Sequence, residues 1–597
     1  MKLLWKLRFI LRDYWKQYLL AFICLQTVAV LNLLTPWLIG RLVDEISIDN
    51  LSIEELGYYL LAMLVTAVLI YGLRYAWRSL LYGASIELVR SQRDRLFAHF
   101  TRMSPEFYQR HTTGDLMAHA TNDLNAIEES AGSGIMTLVD SLIAGLTVLA
   151  AMAFAVSGKL TLMALLPFPI LVWVTHRYGD LMHRRFSRAQ ASFSGLNEQA
   201  RETVSGIRAV RAHQLNERQS DRYIELSREA VKANRKVARI ESLFAPSINL
   251  FFGLSFVIAL LGGAWMIQQG QLTIGLLTSF TLYLGQLLGP MLQFGWQFSV
   301  FQRGSASWSR LEKLFNVEPA VKDVVNAEPA PASNHLSFDI NSFTYPGATQ
   351  PVLEDIRMTI PSGQFVGITG RTGSGKSSLF RLLLREFDLD TDSAIHLADS
   401  SIGKIQLQSL RSRMAWVPQE AMLFSGTIAE NIALAKPSAT FEEIRTAAKM
   451  AAIDDEISAF KQGYETLLGE NGVNLSGGQK QRVAFARALL SDASILLLDD
   501  AFSALDMKTE AAILKNLAEL RGEKTILLIT QRLPELITAD QIFVLDQGRI
   551  KEQGTHDDLM RSDGWYSRIF RQQARSLLLS TKATDGPNVS DNLVLSA

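Results

Sequence analysis

The chain has 597 residues, enough for two or more domains, and 48 % of them are hydrophobic. Its 59 basic and 59 acidic side chains balance, which gives no basic footprint for nucleic acid and no acidic solvating tail. The single Cys24 excludes an internal disulfide or a cysteine-based metal cluster and, lying in an apolar run, reads as a packed or membrane-facing thiol.

The N-terminal stretch MKLLWKLRFILRDYWKQYLLAF starts basic but has no short apolar core followed by a small-residue cleavage site. An interfacial amphipathic helix feeding a span is expected there, not a removable signal peptide. Six stretches then approach the about 20 apolar residues that a bilayer crossing needs. They are Leu19–Ile39, Leu56–Tyr75, Ile135–Val156, Leu160–Val174, Ile248–Ile267 and Ile274–Phe294, the fourth carrying Pro167 and Pro169. The loop after the first span, DEISIDNLSIEE, holds no Lys or Arg, and those after the third and fifth are short. The segments after the second and fourth are long and rich in Arg (Arg90, Arg93, Arg95, Arg102, Arg110; then Arg184, Arg185, Arg188, Arg208, Arg211). The positive-inside rule therefore puts both termini and both long loops in the cytoplasm.

Those long loops read as continuations of the spanning helices, with tips near Glu106–Asp123 and Thr203–Gln214 that are contact points for a cytoplasmic domain or a solvated hairpin. A helix from Leu56 to Arg102 would be roughly 70 Å long, against a hydrocarbon core of about 30 Å, and must project well beyond the membrane. Asp140, an acid at membrane depth, is a contact for cationic substrates, a partner for a neighbouring helix or a residue near the cytoplasmic headgroups. Phe251, Phe252, Phe280, Met291 and Phe294 would suit flat apolar ligands but are also ordinary core or lipid-facing residues.

A Pro/Ala-rich, unpatterned stretch marks a linker over 317–334 between a membrane domain (1–316) and a domain over 335–575. In the latter, short β-branched runs alternate with helical patterns, which is α/β grammar. The polar end, 576–597, reads as a disordered tail.

Within the α/β region GRTGSGKSS, Gly370 to Ser378, stands between the strand-like QFVGIT and the helical LFRLLLREF. Strand, P-loop, helix is the context this motif requires. Gly370, Arg371, Thr372, Gly373, Ser374 and Gly375 form a loop whose N–H groups cradle phosphate. Lys376 adds charge at the β- and γ-phosphates, and Ser377 and Ser378 begin the helix, Ser377 as a Mg²⁺ ligand. LSGGQ, Leu475 to Gln479, opens another helix, so Ser476, Gly477, Gly478 and Gln479 form a second phosphate-binding start. The apolar run Ile495 to Leu498 delivers Asp499 beside the P-loop, where it holds Mg²⁺ through water.

With these motifs the chain resembles a type IV ABC exporter half-transporter over nearly its whole length, of the heterodimeric bacterial multidrug-exporter kind. The stretches FYQRHTTGDLMAHATNDL, TLVDSL, LTSFTLYLG and RGSASWSR share in the likeness. The resemblance implies a membrane α-helical domain of six extended spans fused to an α/β P-loop ATPase domain, using ATP and Mg²⁺. It implies that Tyr345 stacks on adenine, that Gln419 senses Mg²⁺ and contacts the membrane domain, that Asp506 belongs to the loop crossing a dimer interface, and that Gln531 lies in the switch loop.

Two positions depart from the family pattern. An active site there has Glu after the metal-binding Asp and His in the switch loop; this chain has Asp500 and Gln531. Asp is one methylene shorter than Glu, and a misplacement of about 1 Å costs on the order of 10²-fold in rate, loss of a general base about 10²–10⁴-fold. Gln cannot carry positive charge. Expected, therefore, is a site that binds ATP and hydrolyses it slowly, paired with a different half-transporter whose competent site the intact LSGGQ completes. A heterodimeric exporter of small amphipathic drugs, multi-pass in a bacterial inner membrane among lipids and without nucleic acid, is the leading reading. Alternative readings are a lipid or peptide exporter subunit, or a regulatory ATP-binding subunit with little turnover of its own.

Overall fold

The computed structural model describes residues 8–48, 51–469, 472 and 474–584. Residues 1–7 of the expected N-terminal helix lie outside them. The chain divides into two compact units, 1–100 with 113–317, and 101–112 with 318–597.

The first unit is all helix. It contains α1 (Arg8–Ser47), α2 (Ile53–Phe100), a helical run α4 (Thr113–Ala164) interrupted by π-helical turns, α5 (Phe168–Ser205), α6 (Ile207–Ala212), α7 (Asn216–Gln268) and α8 (Ile274–Phe315); α3 (Pro105–Arg110) belongs to the other unit. At 48 residues α2 is about 72 Å long at about 1.5 Å per residue, so it does overshoot a bilayer. Among the described residues five helices are long and apolar enough to cross a membrane. The fourth expected span, Leu160–Val174, is not one of these. Its helix stops at Ala164, a turn follows through Pro167, and α5 restarts at Phe168. Proline offers no N–H to continue the ladder, and α5 soon turns basic, dividing the apolar run.

Polar groups knit α1 to α8. Pro36 inside α1 leaves the Asn32 carbonyl without its helical donor, and Gln286 donates to it at 3.1 Å. Tyr283 donates to the Leu33 carbonyl at 2.8 Å and Ser279 to that of Pro36 at 2.9 Å. Asp44 accepts from the Gly275 N–H and the Thr273 hydroxyl, both at 2.7 Å, and so caps α8. A Cβ on Gly275 would sit 1.9 Å from the Gly40 carbonyl oxygen, so only glycine permits this approach. Phe252 and Phe280 are buried in the core of this unit, with Phe251 and Met291 packed against it, the bland alternative for these residues; the side chain of Phe294 lies outside the described ones. Asp140 is half-buried on α4.

The second unit is α/β. Its strands are β1 (Leu336–Phe343), β2 (Leu353–Ile360), β3 (Phe365–Gly370), β4 (Ala394–Leu397), β5 (Ser400–Ser401), β6 (Met414–Val417), β7 (Gly426–Thr427), β8 (Leu467–Leu468), β9 (Ile495–Asp499), β10 (Thr525–Ile529), β11 (Gln541–Asp546) and β12 (Arg549–Gly554). They form an antiparallel sheet, β2-β1-β4-β5, a main sheet, β12-β11-β3-β10-β9-β6, parallel except for β12, and a small β7-β8 pair. The helices used below are α9 (Lys376–Leu383), α10 (Leu407–Ser412), α11 (Gly477–Leu490), α12 (Met507–Glu519) and α13 (Trp565–Thr584). In β9, Ile495 and Leu497 face one hydrophobic cluster while Leu496 and Leu498 face another. Burial on both faces explains an unbroken apolar run where a half-exposed strand would alternate.

Residues 318–334 form no helix or strand beyond a single bridge from Glu328 to Ile405, yet they do not hang loose. Ala320 N–H donates to Ser104, Arg385 to the Lys322 carbonyl, Leu407 N–H to Asp323, and Ala330 N–H to Ser409. The expectation of a disordered tail from 576 needs correction: α13 continues to Thr584, and 585–597 lie outside the described residues.

Candidate nucleotide site

The P-loop leaves the end of β3, whose six residues are all buried between β10 and β11. Its turn is built on glycines. Gly370 has φ 140° and a Cβ there would meet the Leu545 carbonyl at 1.9 Å; Gly375 has φ 94°, with Leu353 2.6 Å from such a Cβ. These are conformations that a side chain resists. Gly375 is the N-cap of α9 and provides no side-chain cap, so the first N–H groups of that helix face a cavity of about 310 Å³. Residues 372–378 line it together with Val352, Gln419, Asp499, Asp500, Ile529, Thr530 and Gln531.

Register explains this gathering. Asp499 pairs with Ile529, so Asp500, Thr530 and Gln531 emerge together from the C-terminal ends of adjacent parallel strands, next to the loop leaving β3. Ligand crevices of open α/β sheets form at such strand ends. Lys376 folds back to donate to the carbonyls of Gly370 (3.0 Å) and Arg371 (2.8 Å). Burial pulls its pKa down, and the charges of Asp499 and Asp500 oppose that. Ser377 donates to Asp499 at 3.0 Å. Burial raises the pKa of Asp499 and the neighbouring Asp500 charge adds to the rise, while the Ser377 bond opposes it. Asp500 is likewise raised by burial, against the charges of Arg532 and Lys376.

The sequence did not reveal that Asp500 adopts a left-handed backbone, φ 50°. Asp tolerates this better than most residues. Its N–H donates to the Ile529 carbonyl at 2.8 Å and its carbonyl accepts from Gln481 at 3.2 Å. Gln531 accepts from the Thr372 hydroxyl at 3.4 Å, tying the switch-loop position to the P-loop. Tyr345 bonds Ser378 through its hydroxyl at 2.9 Å and packs edge-on against Phe343 and Phe387. Arg371 is exposed at the loop's rim.

The remaining expected residues do not line this cavity. Ser476 caps α11 in a reciprocal box: it accepts from Gln479 N–H at 3.3 Å, and Gln479 accepts from Ser476 N–H at 2.9 Å. Gly477 is the first residue of α11. Gly478 lies so close to the next loop that a Cβ would be 2.9 Å from the Ala504 carbonyl. Asp506 caps α12, accepting from the N–H groups of Lys508 and Thr509. Gln481, absent from the sequence reading, accepts from Ala504 N–H and donates to the Asp500 carbonyl, linking α11 to the loop after β9. Nothing in its spacing distinguishes it from any polar helix residue.

The cavity fits a triphosphate and its metal. Ser374 has a buried hydroxyl oxygen with no partner among the described residues, and the uncapped α9 supplies N–H donors. Ser377, Asp499 and Gln419 would hold Mg²⁺; hydroxyl, carboxylate and amide oxygens are the hard donors that ion takes. Bound there, it supplies positive charge to phosphate oxygens.

Residues 18–291 match the family profile "ABC transporter transmembrane region" and residues 353–503 the profile "ABC transporter". The chain is 43 % identical to the "Multidrug resistance-like ATP-binding protein MdlA" of Escherichia coli K12, over 96 % of its own length and 97 % of that protein's. It is 39 % identical to the "Probable multidrug resistance ABC transporter ATP-binding/permease protein YheI" of Bacillus subtilis 168, over 95 % and 97 %. Its fold is similar to a structure of a bacterial Atm1-family ABC exporter with ATP bound, with a TM-score of 0.79 and 28 % identity over 94 % of this chain and 98 % of that one. A P-loop ATPase unit joined to long apolar helices, with relatives matched end to end, has one family reading: the chain belongs to the ABC transporters, as a multi-pass, ATP-driven exporter.

Proposed function

We propose that the chain is one half of a heterodimeric exporter of amphipathic drugs in a bacterial inner membrane, with both termini cytoplasmic. Residues 1–316 form the path and 335–575 drive it. Its own nucleotide site, Tyr345, Gly370–Ser378, Gln419, Asp499, Asp500 and Gln531, binds ATP and turns it over slowly. Ser476, Gly477, Gly478 and Gln479, with Asp506, complete the competent site of a different partner chain. ATP then closes the two nucleotide-binding units, the tips near Glu106–Asp123 and Thr203–Gln214 transmit that closure, and the spans turn outward. Such coupling requires ATP to bind the closed pair better than the open one.

One observation carries the reading. Among the described residues lining the cavity the acids are Asp499 and Asp500, and Gln531, at the position where the resemblance implies His, lines it too. The multidrug names of both relatives favour drugs as cargo.

The test is ATP turnover by the full-length chain in lipid nanodiscs, alone and with a candidate partner. Alone, Asp500→Glu combined with Gln531→His is expected to raise turnover by about 10²-fold with little change in ATP affinity. With the partner, turnover should be brisk and insensitive to that pair of substitutions. Brisk hydrolysis by the unaltered chain on its own would overturn the proposal.

A further inference from the structure

Among the described residues the side chain of Gln531, at the switch-loop position, makes one long hydrogen bond, 3.4 Å from Thr372, so its placement follows its backbone. That backbone is held from outside the sheet. Gln573 on α13 donates its amide N–H to the Gln531 carbonyl at 2.8 Å, and its amide oxygen accepts from Leu533 N–H at 2.9 Å. One side chain thus brackets Arg532. Arg532 itself reaches the other way, to Glu510 at 2.8 Å and to the Ser503 carbonyl at 3.1 Å.

The clamp stands on a fixed base. Tyr566 is fully buried, its hydroxyl lies 2.8 Å from His556 Nδ1, its N–H donates to Glu552 at 3.2 Å, and Phe570 packs on the same His556 ring. Tyr566, Phe570 and Gln573 follow at i, i+4 and i+7 on α13, and therefore share one face. Buried Tyr566, with half-buried Phe570 beside it, anchors the helix, and two turns beyond Tyr566 the same face presents Gln573 to the switch loop.

We propose that Gln573 is a positioning residue for the nucleotide site: it holds the backbone of Gln531 so that its amide meets the γ-phosphate. This rests on the reading that the cavity binds ATP, and is independent of how fast the site hydrolyses it. A residue that acts through the γ-phosphate sensor changes the preference for triphosphate over diphosphate. A residue that merely holds α13 in place weakens both alike or lowers stability.

The experiment is equilibrium binding of AMP-PNP with Mg²⁺ and of ADP to the full-length chain in nanodiscs, with a thermal melt for each variant. Gln573→Ala should cut the AMP-PNP to ADP preference by about tenfold, the scale of one lost hydrogen bond of about 1.4 kcal/mol, with the melt unchanged. Gln573→Glu keeps the acceptor for Leu533 N–H, puts an oxygen against the Gln531 carbonyl, and should lose the preference similarly. It also carries the test if the alanine variant fails to fold. In a Gln531→Ala background Gln573→Ala should add nothing. An unchanged preference, equal weakening of both nucleotides, a full extra effect without Gln531, or no preference in the unaltered chain would each overturn the role of Gln573. Failure to bind either nucleotide would instead overturn the nucleotide-site reading beneath it.

Discussion

Two glycine-rich helix starts in the second unit, α9 and α11, look alike as sequence and are treated oppositely by the fold. α9 begins at a left-handed Gly375 with no side-chain cap, beside a buried Ser374 hydroxyl oxygen that has no partner among the described residues. α11 begins at Ser476 inside a closed capping box. The acid behind it, Glu456, accepts from Gln479 at 2.8 Å and from Arg482 at 2.6 Å. Arg482 holds the Glu456 pKa down. One helix start has donors and a hydroxyl waiting for an anion. The other is internally satisfied by its capping box. A buried polar group without a partner costs about 1–3 kcal/mol, and it persists where a ligand or function compensates. The contrast teaches that the α9 start is built around its ligand, while the α11 start is a finished surface.

The contrast is broken most severely at α9. Lys376→Ala should weaken ATP binding by about 10²-fold, since charge-assisted hydrogen bonds contribute about 1.5–3 kcal/mol, with little effect on the melt. Gly375→Ala should lose binding and stability together, because φ 94° and the contact with Leu353 both forbid a Cβ. Equilibrium dialysis with labelled ATP reads both, and near-normal affinity in Lys376→Ala would show that phosphate is held elsewhere.

Next in size is the buried acid. Unfolded, Glu535 ionises near 4.5; folded, near about 8, with Arg532 and the Thr530 hydroxyl offsetting only part of the burial and Glu510 and Asp500 adding to it. Between those values the folded protein holds a proton that the unfolded chain has released. Glu535 therefore costs progressively more stability from pH 4.5 to about 8, and a constant amount above. Glu535→Gln should stabilise at pH 8 by on the order of 4 kcal/mol and hardly at all at pH 4.5. Denaturant melts across this range check it; a gain independent of pH would mean that Glu535 is ionised in the fold.

The smallest effect sharpens the other side of the comparison. Ser476→Ala removes a cap and should cost about 1 kcal/mol of stability while leaving this chain's own ATP affinity untouched. A drop in that affinity would place Ser476 in its own site and not in a partner's.

Much of this was legible in the residues. The P-loop, the buried strand ending in Asp499 and the long basic extensions of the spans have local signatures, because glycine conformation, burial on both faces and helix length are properties of short segments. The break at Pro167 was signalled too, by two prolines close together, Pro167 and Pro169, although the run around them looked like a span. Gln481, Glu535 and Gln573 were not legible. Gln481 and Gln573 act on residues far along the chain, as Gln573 does on Gln531 at a separation of 42 positions, Glu535 is set apart by its burial, and a lone Gln or Glu in a helical stretch has the composition of any solvated face.

By itself, then, the sequence determined the family and the phosphate cradle, and it carries the two residues, Asp500 and Gln531, on which the proposal of a slow site rests, since each is a matter of residue type within a local motif. Only the tertiary structure decided that Asp500 sits in a left-handed turn, that the α11 start caps itself away from the cavity and that α13 grips the switch loop. Those depend on strand register and on side chains meeting across long chain separations, which local spacing does not encode.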